Sequence, residues 1–575
     1  MIWYGKASRR VTVAAALGEV RGWLAEAVTA PLPVERHAAW VSALVEAGGL
    51  AQGLADAEGG APDAAARAMA LCSALAGVMG RSWNSGFADV PDAVPPDVAE
   101  ALASLGGAPG LPGAVEIRRT EGFCHYAVYP EAHWRAASGL AAPVPSRVLG
   151  LRSIGTVLAA AVAAALGAPA PRTARPHGHP FAREVEIAPP LGAGERGAAW
   201  AVVDEGPGLS GSSMGAAADA LARAGVAADR IVLLPGHGGA PGPRASDAHR
   251  RLWAGARRAV TPFEALVGED ARGLAAWVAD ITGPLPAPPE DVGGGGWRRH
   301  RYADAADWPA ADRQNERRKY LLRGARATVL LRFAGLGGFG RAKLDRARAL
   351  HAAGFGVEPL ALRHGFLVEP WRADLRPAAR GAVARPVLLE RLAAYFAFRA
   401  RAFPCGPGDG APLDALLAMA RANAAEALGD GAAARLDGWE ARLPALARAA
   451  RPVAVDGRLA PHEWLHGGGT LLKSDALDHC CGHDLVGCQD VAWDVAGAAV
   501  EWDLSDAEAE ALRAAVERGS GSHCDRGLVA FFRLAYPAFR VGELTMARDR
   551  EGPEEAARLD AALRPRLAAL RRALG

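Results

Sequence analysis

The most constraining feature of this chain is the run Ala198-Ala199-Trp200-Ala201-Val202-Val203. It stops on two carboxylates, Asp204-Glu205, and passes into Gly206-Pro207-Gly208-Leu209-Ser210-Gly211-Ser212-Ser213. A short apolar run bounded by turn residues reads as a buried strand, and hydroxyl residues just beyond the glycines are suited to opening a helix. Similar short runs recur at 124–129, 148–151, 173–175, 184–187 and 231–234, with helical spacing at 156–166 and 212–224. This alternation predicts an α/β unit over 115–282, a parallel sheet with helices packed against it.

The remainder must be divided, because 575 residues exceed what one core organises. Residues 1–114 carry apolar positions at helical spacing over 11–28, 37–54 and 64–78, and predict a helical region. Residues 283–296, with five prolines or glycines up to and including Pro289 and four consecutive glycines at their end, predict a linker. Residues 297–575 predict an α+β domain, mixed at first and then mostly helical, whose last helix, 554–574, is interrupted at Pro565.

Composition narrows the setting. A net charge of +2 gives no pull toward nucleic acid or membrane. The longest apolar run, 157–166, is too short for the roughly 20 residues of a membrane span, and the first residues lack a signal peptide's apolar stretch. Seven unevenly spread cysteines are no disulfide framework, so a reducing, cytoplasmic setting is expected.

Backbone N–H groups of Ser210, Gly211, Ser212 and Ser213 fall at a helix N-terminus, where an anion is favoured. Asp204 and Glu205 lie close by, placed for ribose hydroxyls or a hydrated Mg²⁺. A strand, an acidic pair and a hydroxyl-rich glycine cradle together resemble the ribose-5-phosphate loop of type I phosphoribosyltransferases. The strand 148–151 followed by Arg152-Ser153-Ile154-Gly155-Thr156 is similar to that family's pyrophosphate loop. Segment 172–183 occupies the place of its mobile lid, with Arg175, His177, His179 and Arg183 able to reach a diphosphate. The resemblance implies a phosphoribosyltransferase-like central sheet and a glycosyltransferase-class enzyme. Its substrates would be phosphoribosyl pyrophosphate, Mg²⁺ and an unidentified base. Asp204 and Glu205 would be catalytic and metal-binding, Gly208, Leu209 and Ser210–Ser213 would hold the phosphate, and Arg152–Thr156 the diphosphate. Phe123, Tyr126, Tyr129 and Trp253 are aromatic candidates to stack on the base, and His237 follows the next strand.

The C-terminal part resembles the aminoglycoside phosphotransferases and choline kinases. Residues 327–333 form a strand before Ala334-Gly335-Leu336-Gly337-Gly338-Phe339-Gly340 and a helix. Later, Thr470-Leu471-Leu472-Lys473-Ser474-Asp475 precedes Gln489-Asp490-Val491-Ala492-Trp493-Asp494. The resemblance implies a metal role for Asp475, a structural role for Asp490 or Asp494, and ATP as substrate. Arg332 stands where a nucleotide-binding lysine is expected, and His462-Glu463-Trp464 lies near the place of the missing His-Gly-Asp loop. Asp475, Asp478, His479, Cys480, Cys481, His483, Asp484 and Cys488 form a polar cluster without C-x₂-C spacing, open to zinc, to Mg²⁺ or to no metal.

Three functions follow. The first is phosphoribosyl transfer by the central unit. The alternative is a nucleotide- or phosphoribosyl-sensing module that controls a C-terminal ATP-dependent phosphotransferase. The third makes the C-terminal half the enzyme, an ATP-dependent phosphotransferase acting on a nucleoside or ribosyl compound made by the central unit.

Overall fold

The computed structural model describes residues 8–57, 61–268, 270–406, 408–482 and 485–575. The N-terminal region opens with a strand, β1 (Ser8–Thr12), paired antiparallel with β2 (Ala114–Arg118). Between them lie the helices Val13–Thr29, Pro33–Ala55, Pro62–Asn84 and Pro96–Gly106. The first helix starts at Val13 because Thr12 Oγ1 accepts the Ala15 N–H at 3.2 Å, and the other three start on a proline, which has no N–H to leave unpaired. Helix Pro33–Ala55 lies directly on helix Ile154–Leu166: a Cβ on Gly48 would stand 2.1 Å from Val157 Cγ2.

The central segment holds β3 (Arg147–Leu151), β4 (Arg172–Ala174), the hairpin β5 (His177–His179) and β6 (Ala182–Glu184), β7 (Trp200–Val203), β8 (Ile231–Leu234) and β9 (Arg257–Arg258). Its five-stranded sheet is parallel, in the order β4-β3-β7-β8-β9, and the hairpin stands apart. The strand expected at 124–129 is absent. A π-helix, Gly122–Tyr126, ends on Ala127 in the left-handed region (φ 52°), and Pro130 then starts helix Pro130–Ser138.

Beyond it, β10 (Glu290–Asp291), which falls inside the proline- and glycine-rich segment, begins a second, antiparallel sheet. It continues with β11 (Lys319–Arg323), β12 (Thr328–Phe333), β13 (Ala361–Arg363) and β14 (Phe366–Pro370), in the order β10-β11-β12-β14-β13. Helix Gly338–Ala352 connects β12 to β13. Below this sheet lie two small ones. The first joins β15 (Arg376–Pro377) to β17 (Trp464–Gly467) and β18 (Thr470–Lys473), and the second pairs β16 (Pro452–Val453) with β19 (Gln489–Asp490). Helices Arg385–Ala402, Leu413–Leu428, Ala492–Glu501, Asp506–Ser520, Arg526–Arg548 and Pro553–Leu574 complete this lobe. The last runs through Pro565 without a break. Leu559, Leu563 and Leu570, all buried, hold it against the lobe and outweigh the hydrogen bond the proline lacks.

Strand alternation gives the antiparallel sheet two faces. Tyr320, Leu322, Val329, Leu331, Phe333, Phe366 and Val368 enter one core with Phe263, Trp277 and the N-terminal helices. The residues between them, Leu330, Arg332 and Glu369 with Lys319 opposite Arg332, face the helical lobe across a cleft.

The expected phosphoribosyltransferase-like central sheet, as the organising α/β fold, is corrected here. The parallel sheet is small, with edge strands of three and two residues. The larger architecture is an antiparallel sheet over a helical lobe. Some side chains expected to form an anion cradle in the central loops engage other protein groups. Arg152 Nη1 lies 3.0 Å from Asp56 Oδ1, and Arg175 also pairs with Asp56. Ser212 Oγ donates to the Pro180 carbonyl at 3.0 Å and Ser210 Oγ to Ser212 Oγ at 2.8 Å.

One buried cluster ties the three segments together. Glu131 Oε1, on helix Pro130–Ser138, is 2.9 Å from His37 Nε2 of helix Pro33–Ala55 and 2.8 Å from His364 Nε2 in the β13–β14 turn. His37 Nδ1 in turn meets Ser82 Oγ at 2.9 Å. Burial raises the Glu131 carboxyl, but His364 and His37 hold it down at about 2. Burial also lowers His37. Removing the carboxylate leaves two buried imidazoles without their acceptor, so Glu131→Ala is expected to cost about 3–5 kcal/mol in urea unfolding. Because the folded pKa is depressed, this contribution is complete above the ordinary carboxylate value of 4.5 and is lost as the pH falls toward 2. The gap between wild type and Glu131→Gln should close over that window; a gap independent of pH would refute the assignment.

Candidate active site

The cleft between the antiparallel sheet and the helical lobe has a volume of about 190 Å³. From above it receives Lys319, Leu330 and Arg332, with Trp371 from the segment after β14. From below come Glu463, Leu465, Ser474, Asp475, Asp478 and His479. Leu330 and Trp371 above and Leu465 below give the cleft apolar surface, and charged residues make up much of the rest of the lining.

Two strand ends deliver the carboxylates. After β16, Ala454-Val455 leads to Asp456, and after β18, Ser474 leads to Asp475. Lys473, the last residue of β18, sits between them. Its Nζ is 3.3 Å from Asp456 Oδ1 and 2.8 Å from Glu463 Oε2, and it donates to the Asp475 carbonyl. His479 Nδ1 is 3.3 Å from Asp456 Oδ1, and its Nε2 is 3.8 Å from Asp475 Oδ2. Arg332 reaches down from β12 to Asp475 Oδ1 at 2.9 Å while its other Nη touches Glu369 Oε1 at 3.2 Å.

Asp456 is buried behind His479 and held from all sides. Tyr395 donates to its Oδ2 at 2.5 Å, and Arg399 Nη1 stands 3.9 Å from it. The backbone N–H groups of Asp456 and Gly457 both donate to the Asp494 carboxylate at 2.9 Å. Gly457, at φ 73°, supplies the left-handed turn that lets two successive N–H groups converge there. Asp490 Oδ2 accepts from Arg451 N at 2.8 Å and its Oδ1 from Ala492 N at 2.9 Å, fixing the start of helix Ala492–Glu501. Asp478 meets Arg317 Nε and Lys343 Nζ, each at 3.2 Å.

These charges set the protonation states. Burial disfavours both forms of charge, but Lys473, His479 and Arg399 hold Asp456 at about 2, and His479, followed by Arg332, holds Asp475 well below the usual carboxylate range. Burial pulls His479 down, but Asp475 and Asp456 raise it to about 9. Burial and the neighbouring Asp456 push Asp494 up to about 6. At the cleft, two sets of donor atoms lie within 4.8 Å of one another, Asp456 with Glu463 and His479, and Asp475 with Asp478 and His479. Their carboxylate oxygens are the hard donors that Mg²⁺ takes, so the residues fit that ion.

The structure separates the other sequence candidates from this cleft. Asp204 and Glu205 follow β7, and burial raises the Asp204 carboxyl to about 7. Ser153 precedes helix Ile154–Leu166, which contains Ile154, Gly155 and Thr156. A Cβ on Gly155 would stand 2.7 Å from the Val203 carbonyl, so that helix start is pressed against β7. Gly208 and Leu209 are exposed, Gly211 lies at φ 64°, and Ser212 and Ser213 open helix Ser212–Arg223. His177, His179 and Arg183 stand on the β5–β6 hairpin, where Arg183 Nη1 donates to the Gly178 carbonyl at 2.7 Å. Phe123, Tyr129 and Trp253 are core residues, and Tyr126 is exposed. His237, lowered by burial, packs against Gly206. His483 and Asp484 of the polar cluster lie outside the described residues.

The metal candidate Asp475 is in the cleft, and Asp490 and Asp494 brace it. Sequence reading missed Asp456, Lys473 and His479 as one network. The signal was present: a short apolar run ending on a carboxylate, used at 198–204, recurs at 452–456 and at 470–475.

No family model matches this chain, and no curated protein matches it. Among solved structures, it is similar to the choline kinase LicA from Streptococcus pneumoniae (13% identity, 44% of this chain and 89% of that chain, TM-score 0.30). It is similar also to a choline/ethanolamine kinase family protein from Mesorhizobium loti (16%, 52% and 96%, TM-score 0.32) and to a macrolide 2′-phosphotransferase type I (15%, 50% and 95%, TM-score 0.32). None of these is a phosphoribosyltransferase, and likeness at this level carries no argument about chemistry. The expected phosphoribosyltransferase identity is corrected together with what followed from it: glycosyl transfer, phosphoribosyl pyrophosphate as substrate and a base as its partner. Of the side chains expected to hold its phosphates, Arg152 and Arg175 pair with Asp56, and Ser212 donates to the Pro180 carbonyl. Among the described residues, no helix is long and apolar enough to cross a membrane.

The raised His479 pKa yields a test. Its stabilising charge is complete below the ordinary imidazole value of 6.5 and is lost as the pH rises through about 9. Thermal unfolding of wild type should therefore lose stability between these values, and His479→Gln should flatten that alkaline limb. An unchanged limb in the variant would remove His479 from the network.

Proposed function

We propose that the cleft binds a nucleoside triphosphate with Mg²⁺ and that the chain is an ATP-dependent phosphotransferase. The observation that carries this reading is the convergence of Asp475, Glu463 and His479 from below with Arg332 and Lys319 from above in one cleft with apolar surface. Phosphoryl transfer needs positioning and charge neutralisation more than covalent chemistry from the protein. Each part has a candidate. Asp475, with Asp478 beside it, would supply hard oxygens for Mg²⁺, which when bound would neutralise phosphate charge. Arg332 holds Asp475 ionised and oriented, and its guanidinium with Lys319 gives the cleft two cations for phosphate oxygens. Leu330, Leu465 and Trp371 offer the surface on which a base is buried. Asp456, behind His479, keeps Lys473 and His479 in place and thereby sets the position of Asp475.

The test is calorimetric titration of the whole chain with a non-hydrolysable ATP analogue, with and without Mg²⁺. Saturable, Mg²⁺-dependent binding is expected, weakened about tenfold or more by Asp475→Asn, equivalent to about 1.4 kcal/mol. Asp204→Asn combined with Glu205→Gln should leave it unchanged. Folded wild-type protein that binds no nucleotide, or binds it equally well after Asp475→Asn, would refute the proposal.

A further inference from the structure

Four of the seven cysteines meet at one place, and nothing in the cleft chemistry uses them. Cys405 follows helix Arg385–Ala402, while Cys480, Cys481 and Cys488 lie on the segment between β18 and β19. Cys405 Sγ is 2.6 Å from Cys488 Sγ, and Cys480 Sγ is 3.6 Å from Cys481 Sγ. Cys480 is also in side-chain contact with Cys488, so the sulfurs form a continuous chain, Cys405–Cys488–Cys480–Cys481. Their surroundings are apolar: Cys480 and Cys488 are buried with Ala454, against Phe403. The backbone holds the two segments in register. Cys405 N donates to the Pro452 carbonyl at 2.9 Å, Cys488 N donates to the Asp409 carbonyl at 3.1 Å, and Gly410 bridges Gly487.

We propose that Cys405, Cys480, Cys481 and Cys488 are the ligands of a single zinc ion that fastens the segment carrying Asp475, Asp478 and His479 to the end of helix Arg385–Ala402. Zinc takes four thiolates in a tetrahedron at about 2.3 Å, which places the sulfurs roughly 3.8 Å apart. The Cys480–Cys481 separation already matches, and the Cys405–Cys488 pair must open by about 1 Å. A disulfide between Cys405 and Cys488 would account for two sulfurs and leave two consecutive thiols packed beside it; one metal accounts for all four. A tetrathiolate zinc centre carries two negative charges, and two guanidiniums, Arg399 buried and Arg346 half-buried, stand beside it. Arg346 is close to Cys480 and Cys481, and Arg399 is close to Cys480, with its Nη1 fixed on the Ala476 carbonyl at 3.0 Å. The proton from each thiol leaves to solvent as zinc binds, so the step is ligand exchange without electron transfer.

The experiment uses the whole chain, purified without chelator from zinc-supplemented medium. Elemental analysis should find one zinc per chain. Exchange with Co²⁺ should give the intense thiolate-to-cobalt charge-transfer absorption of a sulfur-rich tetrahedral site. Alkylation followed by peptide mass analysis should find Cys405, Cys480, Cys481 and Cys488 protected until a strong chelator is added. Cys488→Ser should lose the metal, and Cys524→Ser, whose thiol lies in a separate core, should keep it. The wild-type metal content and cobalt spectrum decide the matter even if Cys488→Ser fails to fold. Folded wild type without zinc would overturn the proposal, as would a Cys405–Cys488 cross-linked peptide. Neither outcome touches nucleotide binding, which is measured separately.

Discussion

The antiparallel sheet β10-β11-β12-β14-β13 has to serve two environments at once, and the rest of the molecule is arranged around that requirement. Period-two alternation gives it one apolar and one charged face. The apolar face is buried against Phe263, Trp277 and the N-terminal helices, so those helices form part of the same core as the sheet. The charged face has Lys319, Arg332 and Glu369 looking across to the helical lobe. A one-residue slip of β12 would exchange Arg332 with Leu331 and put a guanidinium in the core, which fixes the register strongly. The Glu131 carboxylate, shared by His37 and His364, pins the β13–β14 turn of this sheet to both earlier segments.

Burying so much charge is costly unless each group has a partner. The cleft meets this condition by chaining ions of alternating sign: Glu369, Arg332, Asp475, His479, Asp456, Lys473, Glu463. Each carboxylate lowers the cost of the neighbouring cation, which is why His479 is raised while Asp456 and Asp475 are depressed. Asp494, bound to two backbone N–H groups, fixes the turn at Asp456 from which the chain runs. A network of this kind is rigid, and rigidity is what a site working by positioning and charge requires.

The central loops show how a local signature can mislead. A strand, an acidic pair and a serine-glycine cradle describe an anion site only when the donors are open. Here Asp56, from the end of helix Pro33–Ala55, is already paired with Arg152 and Arg175, and the Pro180 carbonyl takes the Ser212 hydroxyl. Both partners are distant in sequence from the groups they engage. The glycine-rich turn after β12 is similarly committed: Leu336 N donates to the Phe123 carbonyl at 2.9 Å, and Gly335, at φ 118°, lies close against Phe123 and Cys124.

By itself the sequence determined what depends on neighbours along the chain. Apolar runs closed by glycine and proline specify β7 and β8, and helical spacing with prolines at first turns specifies the N-terminal helices, because strand and helix periods act over a few residues. It also marked Asp475 as a carboxylate at a strand end, and Asp490 and Asp494 at the start of a helix. Tertiary structure decided which strand end became a site. Asp475 meets Arg332 only where the antiparallel sheet faces the helical lobe, residues 456, 463, 473 and 479 gather beside it from separate segments, and the four cysteines meet only because residue 405 is brought beside 480–488. Such convergence depends on distances between segments far apart in sequence, which no local period or spacing encodes.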